Sequence, residues 1–350
     1  MGLPNISINF SGKASTAIER SSRGIVCLVI NETKSTGVST FKYLDEVNSE
    51  DFSADNYAAI CDVFKEGCPK LYIVRIGAEQ TFADVKAEID KLKFNWITQI
   101  AEDNTDLVAY VKARNLKNPN NQIKAVVAGI EADDMHIVNF ANETVTRKDD
   151  TTIDGYLFLG RIAGLLATTP FTRSATYYIF DDVKSVKEVE DSDAAVDAGQ
   201  FVIINDFGEP KVARAVNSLK TLKEGQSEDM KKITVVEAMD LIKEDIASTF
   251  KSDYVGKHKN NLDNQHVFIA AVNHYFYELA NEQVLDNQYN NVAEIDVAKQ
   301  RSALIGKGVT EAEDWDDLKV KRNTVGSKVF LKGNVKILDA IEDLEFGITM

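Results

Sequence analysis

Chemistry in this chain would have to start from histidine, cysteine, hydroxyl or carboxylate side chains, and their spacing does not favour it. His136 stands alone, while His258, His266 and His274 follow at intervals of eight. Ligands on one helical face need i, i+3 or i+4 spacing, and Asn260-Asn261-Leu262-Asp263-Asn264 interrupts the run. They read as ordinary loop and helix histidines, and no metal site is assigned. Cys27, Cys61 and Cys68 are odd in number and lack C-x-x-C spacing, so neither a disulfide framework nor a zinc site is indicated. Thr168-Thr169-Pro170-Phe171-Thr172-Arg173-Ser174 is rich in hydroxyls but has no positioned histidine, and reads as a turn capping a helix over 161–167. Gly306-Lys307-Gly308 lacks both the leading glycine and the Ser/Thr of a phosphate loop, and G-x-G-x-x-G and G-x-S-x-G are absent. Asp149-Asp150 and Asp316-Asp317 sit in polar stretches as solvated pairs. No catalytic, cofactor-binding or metal-ligating residue is therefore assigned; the expectation is a protein that is not an enzyme and needs no cofactor.

The bulk properties narrow the class further. With 350 residues and 44% hydrophobic content the chain is long enough for one large or two ordinary domains. Its 55 acidic against 40 basic side chains give a formal charge of −15, which repels a phosphate backbone, and direct nucleic-acid binding is not expected. No apolar run approaches the ~20 residues that span a bilayer, and the first residues lack the apolar core of a signal peptide. Neither membrane insertion nor export by a signal peptide is expected.

Short apolar runs rich in β-branched residues at 25–30, 71–76, 123–128 and 201–205 read as strands buried on both faces. Amphipathic stretches at 55–65 and 81–93, the second with Phe82, Val85, Ile89 and Leu92 at helical spacing, read as helices between them. This alternation favours an α/β fold with a mostly parallel sheet flanked by helices. The stretch 181–197 reads as an acidic loop. From 233 onward an apolar stripe (Val235, Val236, Met239, Ile242, Ile246, Phe250) begins an α+β region. A helix over 266–285 is apolar around most of its girth, so it must be covered on several sides, by core or by another subunit.

Both ends of the chain alternate polar and apolar residues like strands. Ile6, Ile8 and Phe10 share one face near the start; Leu344, Phe346 and Ile348 share one near the end. Unpaired edges of this kind are suited to strand exchange between copies, or to pairing with each other within one molecule.

Several segments resemble the sheath proteins of contractile phage tails and phage-tail-like bacteriocins. They are Gly208-Glu209-Pro210-Lys211-Val212-Ala213-Arg214-Ala215-Val216-Asn217-Ser218-Leu219, Lys232-Ile233-Thr234-Val235-Val236-Glu237-Ala238-Met239-Asp240, Asp253-Tyr254-Val255-Gly256-Lys257, and the closing run from Gly326-Ser327-Lys328-Val329-Phe330 to Asp339-Ala340-Ile341-Glu342-Asp343-Leu344. Arg161-Ile162-Ala163-Gly164-Leu165-Leu166-Ala167-Thr168-Thr169-Pro170 looks like the same pattern. The likeness is to short sheaths of Gram-positive phages, defective prophages and clostridial tail-like bacteriocins, and the outer β-sandwich of longer relatives is expected to be absent.

The resemblance implies a linking arm over 1–22, an α/β sheath domain over 23–230, a tube-facing α+β domain over 231–325, and C-terminal strands with a second arm over 326–350. It implies a homo-oligomer, as a helical or stacked-ring sheath, around an inner tail tube protein, with baseplate and tail-terminator or collar proteins as further partners. Ile6, Ile8, Phe10, Leu344, Phe346 and Ile348 would be inter-subunit strand residues, Gly12 and Gly326 hinges, and Lys299, Arg301 and Lys307 a basic group facing the tube. Assembly is expected in the bacterial cytoplasm, before the particle is released. Other readings stay open at this point: an α/β enzyme of unknown substrate, or another tail component such as a tube protein, against which the length and the long helices argue.

Overall fold

The computed structural model describes residues 17–350, and within them the apolar runs at 25–30, 71–76 and 123–128 become strands of one sheet. Strand β1 (Ile25–Asn31) is followed by β2 (Gly37–Phe41), helix α1 (Ala54–Phe64) and β3 (Lys70–Ile76). Then come α2 (Phe82–Ile89), β4 (Trp96–Ile100), α3 (Thr105–Lys117), β5 (Lys124–Ala128) and β6 (Ile137–Phe140). A small antiparallel sheet is built from β7 (Thr144–Arg147), β8 (Thr152–Asp154) and, after helix α4 (Leu159–Thr168), β9 (Val183–Val186). Helix α5 (Ser192–Asp197) leads to β10 (Gln200–Phe201) and to a hairpin of β11 (Ile203–Asp206) and β12 (Glu209–Val212).

The main sheet has seven strands in the order β10-β6-β5-β4-β1-β3-β2. All its pairings are parallel except β2 with β3 at one edge. Successive side chains of β1 point to opposite faces, and each face has its own core. Val26, Leu28 and Ile30 pack with Ala59, Ile60 and Val63 of α1 and Ile162 and Leu166 of α4. Cys27 and Val29 pack on the other side with Val85 and Ile89 of α2 and Leu107 and Val111 of α3. Helices on both faces explain why these strands are apolar without alternation.

Helices α1 and α4 approach closely because α4 presents glycines. A Cβ on Gly164 would sit 2.5 Å from the carbonyl oxygen of Val63, and one on Gly160 2.7 Å from that of Ala59. Both neighbours are backbone and cannot rotate away. Gly164→Ala, favourable by ~1 kcal/mol in an exposed helix, is therefore expected to destabilise the subunit by about 1–3 kcal/mol, measured by denaturant unfolding. An unchanged or raised midpoint would show that the helices separate easily.

Helix α6 (Ile233–Thr249) ends the strand-rich part of the chain. It is followed by a π-helical turn (Phe250–Tyr254), helix α7 (Leu262–Asn281), β13 (Val292–Ile295), α8 (Val297–Ile305), α9 (Asp317–Arg322) and β14 (Leu331–Asn334), with β13 and β14 antiparallel. The contacts define two compact units. One joins residues 17–20 to Asp245–Leu338; the other joins Ser21–Glu244 to Asp339–Met350. These divisions fall at 244/245 and 338/339, where the sequence reading placed boundaries at 230/231 and 325/326, because the first part of α6 packs on the ends of the parallel strands.

The mixed α/β architecture with a largely parallel sheet agrees with the sequence reading, and three local features differ. The stretch read as an acidic loop over 181–197 contains β9 and α5, with Val183 and Val186 buried. The helix expected over 81–93 ends at Ile89. The run at 201–205, read as one buried strand, is divided between β10 of the main sheet and β11 of the hairpin. After Gly77 the chain turns directly into α2.

Candidate assembly site

The end of the chain is held twice and then let go. In the smaller unit Leu338 N–H donates to the Val284 carbonyl (3.0 Å), Asp286 N–H donates to the Lys336 carbonyl (2.8 Å), and Leu285 bridges Ile337. In the larger unit Lys232 Nζ meets Asp339 at 2.6 Å and Glu342 at 2.8 Å, and the Thr176 hydroxyl donates to Glu342 at 2.6 Å. Arg214 pairs with Asp343. Burial opposes ionisation of Glu342, but Lys232 and Thr176 outweigh it and hold the carboxyl below its ordinary value.

Past Asp343 the support stops. Leu344 is 87% exposed, and Phe346 and Ile348 are 74% exposed. The strand expected at 343–348 pairs with nothing among the described residues of its own chain. Its backbone donors and acceptors and three large apolar side chains are thus left largely uncovered by the described residues. Ile6, Ile8, Phe10 and Gly12 lie outside the described residues. Gly326 occupies a tight turn in which Lys328 N–H donates to the Val325 carbonyl, and its φ of +59° is left-handed.

The three basic residues assigned to a partner face do not form one surface. Lys299 is exposed and pairs with Asp296 at 3.5 Å. Arg301 turns inward: its guanidinium donates to the carbonyls of Ala312 (2.8 Å) and Trp315 (2.6 Å) and pairs with Asp317 (3.1 Å). Lys307 is exposed beside Gly326. Arg301 fixes the loop after α8, and only the two lysines remain outward.

Two buried charge clusters went unread in the sequence. Glu237, Asp240 and Glu244 lie at i, i+3 and i+7 on one face of α6. Each meets a basic residue at or just before the start of a parallel strand: Arg23 before β1 reaches Glu244 (3.5 Å), and Lys93 before β4 reaches the same carboxylate (3.0 Å). Lys124, first in β5, meets Asp240 (2.9 Å) and Glu237 (3.2 Å), and His136 before β6 lies 3.2 Å from Asp240. The only sequence signal for this zipper is the acidic spacing on α6. Burial disfavours the charged forms, yet the partners outweigh it: Asp240 is held far below the ordinary carboxylate range, and Lys124 and His136 are raised. In the second cluster Arg161, in a sheath-like segment, is 1% exposed, meets Glu66 at 2.7 Å and Asp182 at 3.3 Å, and lies over the Phe180 ring. Both clusters cross-link elements and neither lines an open cleft with a nucleophile. Among the described residues no group of three or more His, Cys, Asp or Glu side chains is placed to hold a metal ion.

Known proteins match this chain along its length. Residues 225–350 match the phage tail sheath C-terminal domain family. The tail sheath protein of Clostridium phage phiCD119 is 32% identical over 367 aligned positions, covering 100% of this chain and 99% of that protein. A sheath tail protein from Desulfitobacterium hafniense superposes with a TM-score of 0.70 at 16% identity, over 83% of this chain and 94% of the other. The sheath complex of an extracellular contractile injection system in its contracted state superposes at 0.68 and 14% identity, over 100% and 98%. The solved structures share the fold, and the phage relative shares the sequence from end to end. The chain belongs to the tail sheath protein family and is a structural subunit of a sheath.

Proposed function

We propose that this subunit polymerises around an inner tail tube protein and that the resulting sheath contracts to drive the tube through a target cell envelope. One observation carries the reading: the chain is anchored to its own body up to Asp343, and then presents Leu344, Phe346 and Ile348 uncovered on an alternating segment. Lent to a neighbouring copy, that segment gains both backbone pairing and apolar burial. Ile6, Ile8 and Phe10 play the matching part at the other arm, with Gly12 and Gly326 as joints that let the bodies move while paired strands stay paired. Lys299 and Lys307 face the tube, and Arg301 supports that surface from behind. The role involves no catalysis and no nucleotide: contraction releases a metastable lattice held kinetically by the baseplate and the terminator or collar. Assembly takes place in the bacterial cytoplasm, and the subunit then forms part of a released phage or tail-like particle.

Negative-stain electron microscopy of the full chain, alone and co-expressed with a tail tube protein of the same particle, tests the proposal. Cylinders enclosing the tube are the expected result. A monodisperse subunit that forms no cylinder under either condition would overturn it.

A further inference from the structure

The net charge is divided unequally between the two units. Residues 21–244 and 339–350 carry 41 acidic against 26 basic side chains, whereas residues 245–338 carry 13 against 12. The chain's excess negative charge therefore lies in the larger unit. Within the smaller one, cations gather at a corner. Asn260 Nδ2 donates to the carbonyls of Gly326 (2.8 Å) and Lys328 (3.0 Å), and the Thr324 hydroxyl donates to the Asn260 carbonyl, tying the 257–261 loop to the 324–328 turn. Lys307 Nζ reaches the same turn, 2.9 Å from where a Cβ on Gly326 would lie. Lys257, Lys259 and Lys328 are exposed there, and none makes an ion pair among the described residues. Like charges gathered on one corner repel, and among the described residues no carboxylate forms an ion pair with any of the three.

The larger unit carries a surface of the opposite sign. A cleft of about 680 Å³ between α5, the 228–232 turn and the face of the β11–β12 hairpin is bordered by Asp193, Asp197 and Asp229, with Tyr177 and Val196 in its wall. The cations in its lining are already used: Lys231 pairs with Glu228, Lys232 with Asp339 and Glu342, and Arg214 with Asp343. Asp193, Asp197 and Asp229 make no ion pair among the described residues.

We infer that the lysine corner of one copy docks on the acidic cleft of a second copy, as an electrostatic contact separate from the strand-exchanging arm. Two different, complementary patches on one chain make a head-to-tail contact, the kind that propagates into an open helical array. Opposite fields also speed encounter and select register. The inference rests on the reading that copies of this chain assemble, and adds which surfaces meet.

The test uses full-length protein and counts cylinders by negative-stain microscopy, with thermal unfolding as the control for folding. Lys257→Glu with Lys259→Glu, and separately Asp193→Lys with Asp197→Lys, are each expected to cut cylinder number roughly tenfold or more without lowering the unfolding temperature. Combining all four substitutions restores opposite charges and is expected to recover assembly. Wild-type assembly is also expected to weaken as salt rises from roughly 50 to 500 mM, over which the screening length shortens by a factor of about three. If wild type forms cylinders and either reversed variant matches it, the inference fails while the sheath reading stands. If wild type forms none, the sheath reading itself fails. Normal self-assembly of the lysine variant with loss of tube binding would assign the corner to the tube and overturn the inference, as would failure of the fourfold variant to recover.

Discussion

Phe346→Asp is expected to abolish sheath formation while leaving the subunit folded. Phe346 is 74% exposed in the isolated chain, so its replacement removes almost no intramolecular packing. In a neighbour's sheet the same side chain would be buried, a gain of ~1.5–3 kcal/mol for a residue of this type. An aspartate there would also carry an unpaired charge into the contact. The loss recurs at every contact of the lattice, so assembly should fail outright. Glu345→Lys, on the other face of the segment, keeps the apolar side and is expected to assemble. Sheath length by electron microscopy and helicity by circular dichroism separate the two effects. Equal assembly by both variants, or unfolding of the isolated Phe346→Asp subunit, would place this segment in its own chain's core.

The second large effect concerns the α6 zipper. Lys124 and Asp240 are 1% and 3% exposed and 2.9 Å apart. Removing one member of such a pair leaves the other charge buried, which typically costs about 3–5 kcal/mol. Asp240→Ala leaves buried Lys124 with Glu237 and His136 with Asp134, and Lys124→Ala leaves buried Asp240 with His136 and Lys243, so each takes the nearest partner from a buried charge. Each is expected to lower the unfolding temperature by about 10 °C. The double variant Lys124→Met with Asp240→Leu, which removes both charges and keeps the volume, should be less damaging than either single change. Three equal losses would mean that the pair is not coupled.

The pH dependence follows from the same groups. Asp240 is depressed in the folded state, so its contribution is present above the ordinary carboxylate value of ~3.9 and is lost as pH falls toward the folded one. His136 is raised by Asp134 and Asp240 against burial and Lys124, so its contribution is full below ~6.5 and is lost as pH rises through the folded value. Glu237, Lys243 and Arg23 complete the set of charges facing the pair. The stability difference between wild type and Asp240→Asn should therefore be largest between about pH 4 and 6.5. A difference that keeps growing above pH 8 would exclude the histidine's part.

Most of the sheet was readable because its strands are apolar on both faces, and the exceptions show the limit of that signal. β4 was not read because Thr98 and Gln99 interrupt it. In the fold the Thr98 hydroxyl donates to the Val126 carbonyl at 2.8 Å, so a polar residue is satisfied in a fully buried strand. β6 was missed for a similar reason: buried Asn139 accepts from the Ile130 N–H at 2.9 Å. Arg301 was read as a surface cation, because spacing alone does not show that its guanidinium reaches three carbonyls. The lysine corner is assembled from loops more than 60 residues apart in sequence, joined through Asn260. At the C-terminus the alternation was legible and its partner was not, since a pattern records that one face is apolar without recording which molecule covers it.

A cryo-electron microscopy reconstruction of the assembled sheath tests the central claim most directly. The account predicts residues 344–348 as a strand hydrogen-bonded to a neighbouring copy, with Leu344, Phe346 and Ile348 buried against it. Density showing this segment folded back on its own subunit, or unpaired while the sheath is intact, would contradict it.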